Sequence, residues 1–93
     1  MKTIWKYALE PLNCEIEMPK GAEILSVQAQ HGKACLWAKV DPAQPMEKRT
    51  FEVYGTGHTI DASREHRFIG TFQMSEGYLV FHAFEVITSQ RVL

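Results

Sequence analysis

The sequence contains no long apolar run and no excess of charge of either sign. No stretch approaches the run of about 18 apolar residues that a membrane-spanning helix needs, so no membrane association is expected. The 93 residues include 10 basic and 11 acidic side chains, for a formal net charge of -1. Because nucleic-acid binding requires a basic surface that displaces counterions from phosphates, this balance argues against general nucleic-acid binding.

Cysteine is also scarce, with only Cys14 and Cys35 in the chain. They form no CxxC motif, and the opening residues, MKTIWKYALE, lack the continuous apolar core of a signal peptide. Disulfides persist in oxidising compartments, so we expect two free thiols in a cytosolic protein. Two cysteines alone are too few for a structural zinc site.

Residues 1–93 are expected to form a single domain with one modest core. We expect residues 87–93 to be a flexible tail or to form an interface. Patterns of period two dominate the remainder, which is typical of strands. Seven short strands predict an all-β fold, either a small antiparallel sandwich or a partly open barrel.

The clearest hairpin is predicted over residues 23–40, with a two-residue turn at His31-Gly32. This turn pairs Ala29 with Ala34, Val27 with Leu36 and Leu25 with Ala38. One face is then entirely apolar: Leu25, Val27, Ala29, Ala34, Leu36, Ala38 and Val40. A slip of one residue would mix polar side chains into this face, so the pattern specifies the register.

A second hairpin is predicted over residues 66–85, with its turn centred on Ser75-Glu76. This turn pairs Phe72 with Leu79, Gly70 with Phe81 and Phe68 with Ala83. Both faces of the hairpin are rich in apolar residues. We therefore expect either cover on both sides or one face that forms an oligomer interface.

The remaining predicted strands are shorter and cover residues 3–9, 14–18 and 50–54. Residues 41–48, DPAQPMEK, contain two prolines and are predicted to form a surface loop. Residues 60–65 would form a short helix or a loop.

The polar face of the first hairpin contains the strongest candidate binding site. Trp37 stands there among Gln28, Gln30 and other polar residues. An exposed indole beside amide groups suits a protein interface or a nucleobase. Alternatively, a second sheet covers Trp37, and the two amides then need buried hydrogen-bond partners.

The segment YGTGH is the second candidate, with Tyr54, Thr56 and His58 as a polar rim or as contacts for an anion. Arg64 or Arg67 could supply charge nearby. The third glycine, the lysine and the following helix of phosphate-binding loops are all missing. The structural alternative is that its glycines allow a bulge and a turn with positive φ where a strand ends.

No catalytic residue, metal or cofactor is predicted. The serines lie outside a G-x-S-x-G frame, and the histidines have neither HxH nor HExxH spacing. The weakest alternative is a metal-assisted hydrolase that uses His58 with the carboxylates of Asp61 and Glu65. His82, between two phenylalanines, is expected to be a packed and hydrogen-bonded side chain.

The stretches KTIWKY, MPKGAEILSVQAQHGKACLWAKVDP, YGTGH and IGTFQ with GYLVFHAFE together resemble a family of small uncharacterised phage and prophage proteins. This resemblance implies a phage or prophage product in the host bacterial cytosol and implies no site residue. We expect a non-enzymatic accessory protein, acting as a homo-oligomer, that engages a host protein or sequesters a small, nucleotide-like molecule. The alternative is a virion or assembly component that docks on a larger phage protein.

Overall fold

The computed structural model describes residues 1–87, which form seven strands and one short 3₁₀ turn at Ser75–Gly77. The strands are β1 (Thr3–Ala8), β2 (Cys14–Pro19), β3 (Glu23–Gln30), β4 (Lys33–Val40), β5 (Met46–Gly55), β6 (Glu65–Met74) and β7 (Leu79–Ile87). They form a three-stranded sheet in the order β1-β4-β3 and a four-stranded sheet in the order β2-β5-β7-β6. All strand pairs are antiparallel and the sheets do not close into a barrel, so the predicted all-β class is confirmed.

One core lies between the inner faces of the two sheets. Leu36 and Val40 enter it from β4, Met18 from β2 and Phe51 from β5, and all four are fully buried. Burial of such a side chain contributes about 1.5–3 kcal/mol, so these positions account for much of the stability. Each sheet consequently turns its second, outer face away from this core.

The sheets approach each other most closely at β3 and β6, which are edge strands of different sheets. A Cβ atom added at Gly70 of β6 would lie 3.1 Å from Cγ1 of Val27 on β3. The missing side chain of Gly70 therefore allows the two strands to come together. Each of these strands also contains a register shift, at Leu25 in β3 and at Ile69 in β6.

The first hairpin confirms most of the predicted register. His31 and Gly32 both have positive φ, as a two-residue turn of type I′ requires, and Val27 lies opposite Leu36. The predicted pair Leu25–Ala38 is wrong, because Ala38 lies opposite Ile24 and Leu25 is the extra residue of a bulge. Leu25 is consequently 43% exposed instead of lying in the apolar inner face.

The second hairpin differs from the predicted register by two residues. Its loop contains the 3₁₀ turn and closes with Met74 opposite Leu79, so Phe72 pairs with Phe81 and Gly70 with Ala83. Ser75 and Glu76 both have positive φ, a conformation that the sequence pattern does not reveal. The shift at Ile69 places Phe68 opposite Phe84, where the sequence predicted Ala83.

The other boundaries are close to prediction. Strand β5 is longer than expected, since it begins at Met46 inside the stretch predicted to be a loop and pairs there with β2. Residues 60–64 form turns and coil, and β6 begins at Glu65, so this segment contains no helix. Cys14 and Cys35 are free thiols.

The predicted tail at residues 87–93 overlaps the end of β7 at Ile87, and residues 88–93 lie outside the described part of the chain. Within residues 1–87, the structure contains no helix that is long and apolar enough to cross a membrane.

Candidate functional site

The outer face of the four-stranded sheet contains a cluster of aromatic side chains, which we call the aromatic face: Tyr54, His66, Phe68 and Phe84. Phe84 on the central strand β7 contacts the other three rings, at centroid distances of 5.5 to 6.0 Å. All these contacts are edge-to-face, the geometry that aromatic quadrupoles favour. The rings therefore form one connected platform across three strands.

Phe68 is the exposed member of this platform. It is 57% exposed although its ring lies 5.5 Å from that of Phe84. Strand alternation alone would have turned Phe68 toward the core, and the bulge at Ile69 turns it outward. The bulge thus keeps the large apolar ring of Phe68 exposed to solvent.

A carboxylate beside the platform is hydrogen-bonded from three directions, an arrangement we call the Glu52 network. The Tyr54 hydroxyl donates to Oε1 of Glu52 at 2.6 Å, and Nε2 of His66 lies 2.8 Å from the same oxygen. Arg64 donates to Oε2. Because an ionised carboxylate only accepts hydrogen bonds, Nε2 of His66 carries the proton.

The network determines the charge of Glu52. Burial of its side chain, which is 12% exposed, is the largest influence and raises the pKa of the carboxyl. The hydrogen bonds from Tyr54 and His66 and the charge of Arg64 together outweigh burial, so the pKa falls below the usual 4.5. The hydrogen bond to Glu52 in turn is the main cause that raises the pKa of the Tyr54 hydroxyl. Glu52 is therefore ionised, and both of its carboxylate oxygens already accept hydrogen bonds.

The Glu52 network extends into the loop before β6. Nε of Arg64 lies 3.7 Å from Oδ2 of Asp61, and Oδ1 of Asp61 accepts hydrogen bonds from the Ser63 amide and hydroxyl. These hydrogen bonds from Ser63 are the main cause of a lowered pKa at Asp61. The loop thus places charged groups along the rim of the aromatic face.

A second polar chain runs across the same sheet at the end of β5. Nε2 of His82 lies 2.8 Å from Oγ1 of Thr56, and its Nδ1 lies 2.9 Å from Oγ1 of Thr71. The imidazole therefore links β5 to β6 across β7, as expected for a packed and hydrogen-bonded histidine. Its two nitrogens are occupied by threonine hydroxyls.

The YGTGH segment forms a turn that hydrogen-bonds to itself. The His58 amide donates to the Gly55 carbonyl at 3.0 Å, and the Gly55 amide donates to Nδ1 of His58 at 3.3 Å. A Cβ at Gly55 would lie 2.8 Å from the His58 ring, and Gly57 has a φ of 88°. The positive φ of Gly57 agrees with the structural alternative, whereas β5 pairs with β7 through Gly55 in unbroken register, without the predicted bulge. Of the arginines considered for this loop, Arg64 instead reaches Glu52 and Arg67 lines a different cleft.

The other predicted site residues lie on the other sheet. Trp37, Gln28 and Gln30 are on the outer face of the three-stranded sheet, where Trp37 is half-buried, and the four-stranded sheet packs on the opposite, inner face. Nζ of Lys6 donates to Oε1 of Gln30 at 2.8 Å and crosses over β4 to reach it. The structure therefore does not bring the Trp37 group together with Tyr54, Thr56 and His58.

Glu52, His66 and Phe68 were not predicted as site residues, and Arg64 was expected beside the YGTGH segment instead of at Glu52. The alternation of β5 placed Phe51 and Val53 on one side, which already put Glu52 on the same side as Tyr54. The strand pairings that bring His66 and Phe84 beside them are long-range and left no local signal. In the described residues, no group of three or more His, Cys, Asp or Glu side chains could hold a metal ion.

Residues 1–92 match the model of a family described as a domain of unknown function, DUF7352, and the chain belongs to this family. No curated protein and no solved structure matches the chain at a significant level. The family match gives no information on a phage origin.

Proposed function

We propose that this chain is a non-enzymatic accessory protein of a phage or prophage that binds a host protein in the bacterial cytosol through its aromatic face. The observation that carries the proposal is Phe68, 57% exposed on a platform of rings whose positions are otherwise constrained. The free energy gained by burying an apolar side chain scales with the area removed from water, so burial of this exposed ring against a partner would contribute strongly to binding.

The composition of the face favours a protein partner. Binding energy in protein interfaces is concentrated in a few aromatic and arginine side chains near the centre, with polar groups around them. The aromatic face has Phe68, Phe84 and Tyr54 at its centre, and Arg64 and Asp61 at one side. Aromatic rings in the centre with charged groups beside them are typical of a hot spot and its rim in a protein interface.

The Glu52 network supports binding over catalysis. Both carboxylate oxygens of Glu52 accept hydrogen bonds, so the carboxylate has little capacity left to take a proton from a substrate. The same bonds fix Tyr54 and His66 against Phe84. A surface that is ordered before association loses less conformational entropy on binding, which strengthens affinity.

The Trp37 face supports a binding role less well. Its indole is half-buried, and the amide of Gln30 already accepts a hydrogen bond from Lys6. Trp37 is therefore a suitable reference position, since it is also aromatic and also lies on an outer face.

The test is quantitative capture of host proteins by the immobilised protein, with Phe68→Ala and Trp37→Ala compared with the unsubstituted chain. The partner is then purified and its affinity is measured by titration calorimetry. We expect Phe68→Ala to weaken binding by about thirtyfold, which corresponds to a hot-spot loss of about 2 kcal/mol. We expect Trp37→Ala to bind like the unsubstituted chain.

Retention of full affinity by Phe68→Ala, with loss in Trp37→Ala, would contradict the proposal and favour the other sheet. A larger phage protein as the captured partner would instead indicate a virion or assembly role. A second copy of this chain on the aromatic face would give a native mass that falls to the monomer in Phe68→Ala. That result would identify the face as the contact of a homo-oligomer.

A further inference from the structure

We propose a second, separate binding site for a small oxyanion, a phosphate or carboxylate group, in the cleft between the sheets beside β3 and β6. Arg67 is its principal ligand. The site goes beyond the proposed protein interface because it lies on the inner side of the four-stranded sheet.

The cleft is built by the two irregular edge strands. It has a volume of about 350 Å³ and lies between the turn that precedes β3 and the first half of β6. Ile24 beside the bulge of β3, and Ile69 at the bulge of β6, both line it. Bulges are common beside binding sites because they redirect side chains and end strand pairing.

Two arginines line this cleft, and one of them is already oriented. Nε and Nη2 of Arg49 donate to the two carboxylate oxygens of Glu85, at 2.6 and 2.9 Å, and its Nη1 donates to the Ala22 carbonyl at 2.6 Å. The hydrogen bond to Glu85 is the main cause that raises the pKa of Arg49. Arg49 is thus fixed in place, with one N–H on each terminal nitrogen still available.

Arg67 is the uncompensated charge of the cleft. The charged residues that line it are Arg49, Arg67, Glu23 and Glu85. Glu85 is paired with Arg49, and Glu23 lies 3.2 Å from Nζ of Lys39. Both glutamates of the lining are therefore paired, Glu85 with Arg49 and Glu23 with Lys39, which lies outside the lining. Within residues 1–87, no carboxylate lies within 4.0 Å of Arg67, so its positive charge is not neutralised by a salt bridge.

An oxyanion satisfies these groups better than other ligand classes. A guanidinium presents parallel N–H donors that match two oxygens of a phosphate or a carboxylate. The cleft is large enough for such a group with a small organic body, and Ile24 and Ile69 provide apolar contacts for that body. Phosphate monoesters and small organic acids therefore share the required chemistry.

The experiment titrates the full chain with inorganic phosphate, phenyl phosphate and benzoate, each against sodium chloride at equal ionic strength. Binding is followed by amide and arginine Nε chemical shifts in NMR. We expect saturable shifts at residues 21–24 and at Arg67, with phenyl phosphate tighter than inorganic phosphate because of its ring. A benzoate affinity equal to that of phenyl phosphate would assign the site to carboxylates as well, and a weaker one would assign it to phosphates.

Two variants with the same loss of charge separate this site from general attraction. Arg67→Gln should weaken binding by about tenfold or more, since hydrogen bonds to charged groups contribute about 1.5–3 kcal/mol. Lys48→Gln, on the outer face of β5, should leave the affinity within about twofold because exposed charges are screened by salt. Shifts that are the same for phosphate and chloride, or an unchanged affinity in Arg67→Gln, would overturn the proposal. Since Arg67 is exposed, Arg67→Gln is expected to fold, and its NMR spectrum verifies this.

Discussion

Glu52 and Glu85 lie on adjacent strands of the same sheet, and each accepts hydrogen bonds from an arginine, yet they face opposite sides. Glu85 points inward, its side chain is 8% exposed, and its partner Arg49 is 15% exposed. Glu52 points outward to a partner, Arg64, that is 47% exposed, and its other hydrogen bonds come from aromatic and imidazole groups. The same pairing therefore stabilises the fold on the inner side and orders a surface on the outer side.

The largest effect is expected from breaking the inner pair. Glu85→Leu leaves the Arg49 guanidinium buried without its carboxylate, which costs about 3 kcal/mol or more in unfolding free energy. Arg49→Met combined with Glu85→Leu should recover most of that loss, because no unpaired charge remains. Urea denaturation of both variants measures this, and a loss below about 1 kcal/mol in Glu85→Leu would place Glu85 with the surface pairs.

A smaller loss is expected at the outer carboxylate, and it should depend on pH. Glu52→Gln should lose about 1 kcal/mol near neutral pH, since a neutral amide accepts weaker hydrogen bonds from His66 and Arg64. The pKa of Glu52 is lowered in the folded protein, so its contribution is complete above the usual value of 4.5 and disappears as pH falls through the folded value.

Urea denaturation of Glu52→Gln and the unsubstituted chain, near pH 7 and at about pH 3, tests this sign. The two curves should separate at neutral pH and converge in acid. A difference that grows toward low pH would contradict the lowered pKa of Glu52.

The smallest changes in unfolding free energy are expected from removing two tyrosine hydroxyls, those of Tyr54 and Tyr7. Tyr54→Phe removes a hydrogen bond to Glu52 and should cost about 1 kcal/mol. The hydroxyl of Tyr7 is buried and has no hydrogen-bond partner in the described residues, and burial is the main cause of its raised pKa. Tyr7→Phe should therefore leave the unfolding free energy unchanged or raise it. Thermal and urea unfolding compare the two, and a larger loss in Tyr7→Phe than in Tyr54→Phe would show that the comparison is wrong.

The sequence predicted the fold class well because local signals agree with one another in the first hairpin. The His31-Gly32 turn and the alternation beside it specify the same register, and the structure keeps that register up to Ser26. The bulges at Leu25 and Ile69 could not be predicted, since they occur where β3 and β6 approach across sheets. Local alternation gave no warning of either one.

The candidate site was only partly predictable for the same reason. Tyr54 was chosen from the YGTGH segment, but its partners His66 and Phe84 reach it through pairings of β5 with β7 and of β7 with β6. Phe68 was assigned to the face opposite Phe84 because the bulge was not foreseen. Glu85 could not be recognised as a buried charge, since its partner Arg49 lies 36 residues away in the sequence.

Hydroxyl-radical footprinting of the complex with the purified partner shows which outer face is covered, because it labels both faces in one sample. Mass spectrometry then compares oxidation of Phe68 and Tyr54 with oxidation of Trp37, in the free and bound protein. We expect Phe68 and Tyr54 to lose label on binding while Trp37 keeps it. Protection of Trp37 with unchanged labelling of Phe68 would show that the partner binds the three-stranded sheet and not the aromatic face.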